Sequence, residues 1–120
     1  MLEFQKIFDK LKGIIKEYEA FLDVKSDTLD NYYLDSKQMN PRNKKPIFFG
    51  AVQIKKNYVS FHLMPIYIFP QLLNDISDSL KKRMQGKSCF NFKEVDDDLF
   101  SELKRLTKSG FDKYKQNQLI

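Results

Sequence analysis

The sequence predicts an α+β fold of two layers, with N- and C-terminal helices on one face of a mostly antiparallel sheet of about four strands. Three patterns indicate this fold: apolar residues recur every three or four positions near each end of the chain, and two central segments have the composition of a β-hairpin. No internal repeat is present. A chain of 120 residues has the size of one domain, so we expect residues 1–120 to form a single domain.

The first helix is predicted to run from the N-terminus to about Asp23. Its apolar face comprises Phe4, Ile7, Phe8, Leu11, Ile14, Ile15, Tyr18, Phe21 and Leu22. The following residues, 24–46, are polar and irregular, and only residues 32–34 have the composition of a short edge strand. Residues 39–46 contain two prolines and are predicted to be a surface loop.

Residues 47–54 and 58–64 are predicted to pair as a hairpin around a turn at residues 55–57. Because side chains alternate across a strand, the odd-numbered residues of the second strand should face the helices and the even-numbered ones should face away. The odd-numbered set is Val59, Phe61 and Leu63, and the even-numbered set is Tyr58, Ser60, His62 and Met64.

Residues 66–69, between two prolines, are predicted to start extended and then turn into helix. One short helix should start at Pro70, because a first helical turn does not need the missing N–H. Ser77 is predicted to cap a second short helix that stops at Gly86.

Residues 88–92 alternate as a strand that turns Phe90 and Phe92 towards the core. The last helix is predicted to open at Asp96 or Asp98, since acidic residues favour a helix N-terminus, and to run to Tyr114.

The recognised sequence motifs for phosphate, zinc and calcium are incomplete in this chain. Residues 86–88 are Gly-Lys-Ser, but Lys81 stands where a P-loop needs its first glycine. The chain has one histidine and one cysteine, too few for a zinc site. The acidic residues 94–98 lack the alternation and the glycine of a calcium loop. We therefore expect no metal site and no cofactor.

The net charge of +5 is concentrated in the middle of the chain, where residues 47–93 carry seven Lys and Arg against two Asp. Such a patch attracts anions or acidic partners, or serves only as a solvated surface. No recognition helix, zinc finger or RNP-like strand is present, so nucleic acid is not the expected partner. A single cysteine, no signal peptide and no long apolar stretch lead us to expect a soluble cytoplasmic protein without membrane contact, either monomer or dimer.

Two sequence runs resemble the bacterial YdhG-like proteins, a family whose function is not established. They are residues 56–67, Lys-Asn-Tyr-Val-Ser-Phe-His-Leu-Met-Pro-Ile-Tyr, and residues 80–92, Leu-Lys-Lys-Arg-Met-Gln-Gly-Lys-Ser-Cys-Phe-Asn-Phe. The resemblance covers roughly residues 45–116 and implies a small α+β domain. Some relatives carry the label frataxin-like iron chaperone, which implies iron binding by carboxylates as an alternative function.

Our leading hypothesis from the sequence is a non-enzymatic binding module for a small ligand, an anion or a partner protein. The site would lie on the even-numbered face of residues 58–64, and its residues would be Tyr58, His62, Tyr67, Arg83, Lys87 and Cys89. Arg83 and Lys87 would supply positive charge. A third alternative is a thiol-dependent enzyme in which Cys89 is the nucleophile and His62 its base.

Overall fold

The computed structural model describes residues 2–120, and in this range the chain forms helices and strands of an α+β fold. The helices are α1 (Leu2–Lys16), α2 (Pro65–Ile68), α3 (Asp78–Lys81) and α4 (Asp97–Gln116). The strands are β1 (Asp23–Asp27), β2 (Asn31–Met39), β3 (Pro46–Ile54), β4 (Val59–Leu63), β5 (Met84–Gln85) and β6 (Cys89–Phe92). Short 3-10 turns occupy Glu19–Phe21 and Pro70–Leu73.

The strands of residues 2–120 form one antiparallel sheet in the order β1-β2-β3-β4-β6-β5. This sheet has six strands, so the expected number of about four is too low. The two strands that were not predicted are β1 and β5, and β2 is longer than the expected residues 32–34. Strands β1 and β2 lie in the segment that we expected to be irregular. Their register shifts after Val24 and again after Leu34, and these bulges interrupt the alternation that would have indicated strands.

The first helix is shorter than its apolar pattern predicts, because α1 ends at Lys16. The chain continues through a 3-10 turn, in which Phe21 N–H donates to the carbonyl oxygen of Tyr18 at 3.0 Å. This turn also brings residues three apart onto one side. Tyr18 therefore still packs on the core, with its ring stacked on Phe111 at 4.5 Å between centroids.

The hydrophobic core lies between the sheet and the long helices α1 and α4, which contact each other. Val59, Phe61 and Leu63 of β4 are completely buried in it, so the predicted direction of the odd-numbered side chains is confirmed. Gly50 lets β3 lie close to β4, since a Cβ at this position would lie 2.9 Å from the carbonyl oxygen of His62. The short helices α2 and α3 pack against α4.

The region after β4 differs from the prediction in two respects. Residues 65–68 are helical from the first residue, without an extended start. Helix α3 ends at Lys81, and Gly86 lies instead in the turn between β5 and β6, where its φ of +76° suits a glycine. Two predicted caps are confirmed: Leu80 N–H donates to Ser77 Oγ at 3.1 Å, and Leu99 N–H donates to Asp96 Oδ1 at 3.1 Å.

No helix within residues 2–120 has the length and apolar character needed to cross a membrane.

Candidate functional site on the open sheet face

The even-numbered side chains of β4, Ser60 and His62, point away from the helical layer, to the side of the sheet that we call the open face. Ser60 is 1% exposed there, and His62 is half-buried. The register aligns Ala51, His62 and Cys89 across β3, β4 and β6, and in the next row it aligns Gln53, Ser60 and Asn91. Gln85 of β5 lies opposite Cys89. The open face is therefore polar at its β4-β6-β5 end.

His62 contacts both neighbouring side chains through one ring nitrogen. Its Nε2 lies 3.0 Å from Ser60 Oγ and 4.0 Å from Cys89 Sγ. The thiol of Cys89 has a second partner, because Sγ donates to Asn91 Oδ1 at 3.4 Å. The Asn91 amide in turn donates to Gln85 Oε1. No buried side-chain nitrogen or oxygen within residues 2–120, those of these residues included, lacks a hydrogen-bond partner.

Burial favours the neutral forms of both His62 and Cys89. It lowers the pKa of His62, and the positive charge of Lys55 lowers this pKa further. Burial also raises the pKa of the Cys89 thiol, and Lys55 offsets only part of this increase. A thiolate–imidazolium pair needs the opposite shifts, so the surroundings do not activate Cys89 as a nucleophile.

A basic cleft of about 400 Å³ lies at the same end of the sheet, beside the row just described. Its lining comprises Tyr58, Lys82, Arg83, Met84, Gln85, Asn91 and Lys93. Asn91 N–H donates to the carbonyl oxygen of Arg83 at 2.8 Å, which ties the segment before β5 to β6. Val59 pairs with Phe92 in an antiparallel register. Tyr58, which precedes Val59, therefore lies beside Lys93, which follows Phe92.

The cations of this cleft have no ion-pair partner among the described residues. The salt bridges within residues 2–120 involve Lys10, Lys12, Lys104 and Lys108 instead. An adjoining depression of about 200 Å³ shares Lys82, Arg83 and Lys93 with the cleft. Two carboxylates, Glu94 and Asp96, also line this depression. Asp96 is engaged in capping α4, so one of the two already has a partner.

The structure does not bring Tyr67 and Lys87 to the open face. Both line a cavity of about 350 Å³ at the α2 side of β5, which we call the α2–β5 cavity. The other side chains of this cavity are apolar: Ile66, Pro70, Leu73 and Met84. Of the six residues expected to form one site, Tyr58 and Arg83 line the basic cleft, and His62 and Cys89 lie in the adjoining row. The remaining two belong elsewhere.

Lys82, Lys93 and Gln85 line the cleft but were not among the site residues predicted from the sequence. Lys82 was visible only as part of a basic cluster, and Lys93 only as an isolated charge after the last strand. These residues come together because β6 pairs with both β4 and β5. This pairing joins residues that are far apart in the chain, so local spacing does not reveal it.

No group of three or more His, Cys, Asp or Glu side chains within residues 2–120 is arranged to hold a metal ion. The nearest approach to a soft-metal site is His62 beside Cys89, which offers two ligands where zinc takes at least three from a protein. The iron-chaperone alternative has no specific geometric support in the described part of the chain, and it stays a prediction.

No family model, no curated protein and no solved structure matches this chain. The resemblance to YdhG-like proteins therefore stays an expectation from the two sequence runs. The assignment of a function depends on the geometry of the sheet face and the cleft.

Proposed function

We propose that this protein is a non-enzymatic binding module whose basic cleft takes a small phosphate-bearing ligand. The observation that carries the proposal is the convergence of Lys82, Arg83 and Lys93 on one cleft without carboxylate partners among the described residues. A planar guanidinium donates two parallel hydrogen bonds to a phosphate, and ammonium groups add charge without fixed geometry.

The neutral groups of the cleft support a ligand that also carries a flat ring. Tyr58 offers an aromatic face beside the cations, and the amides of Gln85 and Asn91 offer donors and acceptors. A base stacked on an aromatic side chain gains about 1–3 kcal/mol. A mononucleotide or dinucleotide combines these features, and a volume of about 400 Å³ is within the usual range for small-ligand sites.

The proposal does not need chemistry at Cys89 or His62. Burial lowers the pKa of His62 and raises the pKa of Cys89, so it disfavours the charged form of both, and the two side chains adjoin the cleft as hydrogen-bonding groups. We therefore propose binding in place of the thiol-dependent alternative.

Calorimetric titration with pyrophosphate, AMP and ADP tests this function. We expect saturable binding with a Kd below about 1 mM for at least one of these probes, weakened about tenfold by Arg83→Gln or Lys93→Gln, which corresponds to about 1.4 kcal/mol. Lys45→Gln, an exposed lysine of the turn before β3, is the matched control and should leave the affinity unchanged.

Tyr58→Ala separates the ring from the phosphate. It should weaken ADP more than pyrophosphate, because only ADP has a base to stack. Absence of saturable binding by all three probes, or equal losses in the Lys45 control and the cleft variants, would refute the proposal.

A further inference from the structure

We infer that the α2–β5 cavity is a second binding site, which takes a small apolar molecule with a single carboxylate. This site shares only Met84 with the basic cleft, and it does not depend on the function proposed for that cleft. Two observations support this second site: the composition of the cavity wall and the position of one cation on that wall.

The wall of the cavity is apolar except at one point. Ile66 and Tyr67 of α2, Leu73 of the following 3-10 turn and Met84 of β5 present carbon to a space of about 350 Å³. Lys87 is the one charged residue among the described lining residues, and no carboxylate lines the cavity with it. The ion pairs within residues 2–120 do not include Lys87.

The exposure of Tyr67 indicates that this surface is left uncovered by the fold. Tyr67 is 53% exposed, whereas Ile66, which also lines the cavity, is 1% exposed. The side of the cavity formed by Gly86 is also unobstructed, because a Cβ added to Gly86 would meet no atom within 4 Å. A ligand that covers this surface removes apolar area from water, which is favourable by about 25 cal/mol per Å².

The size and charge of the cavity define the class of ligand. A volume of about 350 Å³ lies within the usual range for small-molecule sites, about 300–1,000 Å³. One ammonium group on an otherwise apolar wall complements one carboxylate on an apolar body. A medium-chain fatty acid such as octanoate combines an apolar body with this single charge.

Titration calorimetry with octanoate tests the inference, and 1-octanol is the matched uncharged probe. We expect octanoate to bind saturably and more tightly than octanol. Lys87→Gln should weaken octanoate about three- to fivefold, the size of an exposed ion pair, and should leave octanol unchanged. Tyr67→Ala should weaken both probes, and its thermal midpoint shows whether the fold is kept.

Two further variants control for other sites. Lys56→Gln removes an exposed lysine of the β3–β4 turn and should not change octanoate binding. Arg83→Gln impairs the basic cleft and should also leave octanoate binding intact, so failure of one site is distinguishable from failure of the other. The inference is overturned if octanoate does not saturate, if it binds no better than octanol, or if Lys87→Gln has no larger effect than Lys56→Gln.

Discussion

His62 is the only histidine of the chain, so its ionisation can be followed by NMR without ambiguity. Burial and Lys55 lower its pKa below the ordinary value of 6.5. We expect the imidazole resonance to titrate with a midpoint below 6.5 in the folded protein. A midpoint at or above 6.5 would contradict the half-buried position between Ser60 and Cys89.

The same shift gives His62 a pH-dependent effect on stability. The folded state disfavours the proton relative to the unfolded state, so this contribution is fully present above about pH 6.5 and is lost as the pH falls towards the lower pKa of the folded state. His62→Gln should remove this part of the loss. The difference in free energy of unfolding between wild type and variant, measured in urea at pH 7.5, 6.5 and 5.5, checks it.

Cys89 should react slowly with alkylating reagents at neutral pH. Its thiol has a raised pKa, is half-buried and donates to Asn91, and the thiolate is the reactive form. We expect iodoacetamide to modify native Cys89 at least about tenfold more slowly than glutathione at pH 7, with the rate still rising above about pH 8.5. Mass spectrometry over time measures this rate.

Unfolding in urea is the control for the cysteine, because it should restore the rate of an ordinary thiol. Rapid modification of the native protein that does not depend on pH above about 6 would instead indicate an activated thiolate. That outcome would revive the enzymatic alternative and weaken the case for a purely binding role.

At the scale of the elements, two helical glycines should respond in opposite ways to substitution by alanine. Gly13 in α1 is exposed and an added Cβ would meet nothing within 4 Å, whereas a Cβ at Gly110 in α4 would lie 2.8 Å from Pro65 Cβ. Gly13→Ala should stabilise the protein by about 0.5–1 kcal/mol through helix propensity. Gly110→Ala should destabilise it by about 1–3 kcal/mol, because it overpacks the contact between α4 and α2.

Thermal or urea denaturation of the two variants measures this contrast. Both substitutions bring the same gain in helix propensity, so each serves as the control for the other and the difference between them isolates the close contact. Equal stability of the two variants would mean that α2 moves away from α4 at little cost.

The strands show which parts of the sheet can be predicted from local sequence patterns. The alternation in β4 was sufficient to predict which side chains enter the core, because one face of that strand is entirely apolar. The pattern failed in β2, where Asp35 and Ser36 are buried next to Leu34 and the bulge breaks the period of two. Strand β5 has only two residues and could not be recognised from its composition.

Across the whole molecule, the high aromatic content is explained by the core. Phe49, Phe111 and Tyr114 pack edge to face at 5.6–6.1 Å between ring centroids, and Phe92 packs on Phe100 at 5.0 Å. Tyr114 also ties α4 to the sheet, because its hydroxyl donates to the carbonyl oxygen of Phe48 at 2.6 Å. These rings form the layer between helices and sheet, so they do not by themselves indicate an aromatic ligand.

The positive charge of the middle segment also has a defined place in the molecule. Lys82 and Arg83 follow α3, and Lys93 follows β6, yet the antiparallel pairing of the last strands gathers them around one cleft. The sequence revealed the excess of charge, and it did not reveal that Lys93 would join it while Lys87 would not.

The sequence alone determined the features that depend on neighbouring residues: the two long helices, the β3–β4 hairpin, the cap at Ser77, an acidic cap at Asp96 or Asp98, and the outward direction of His62. These follow from hydrophobic periodicity and from hydrogen bonds between residues at most a few positions apart. The tertiary structure decided the number of strands, the end of α1 and the division of the six expected site residues between two cavities and the open face. Each of these depends on pairing and packing between residues far apart in the chain, for which the local pattern carries no information.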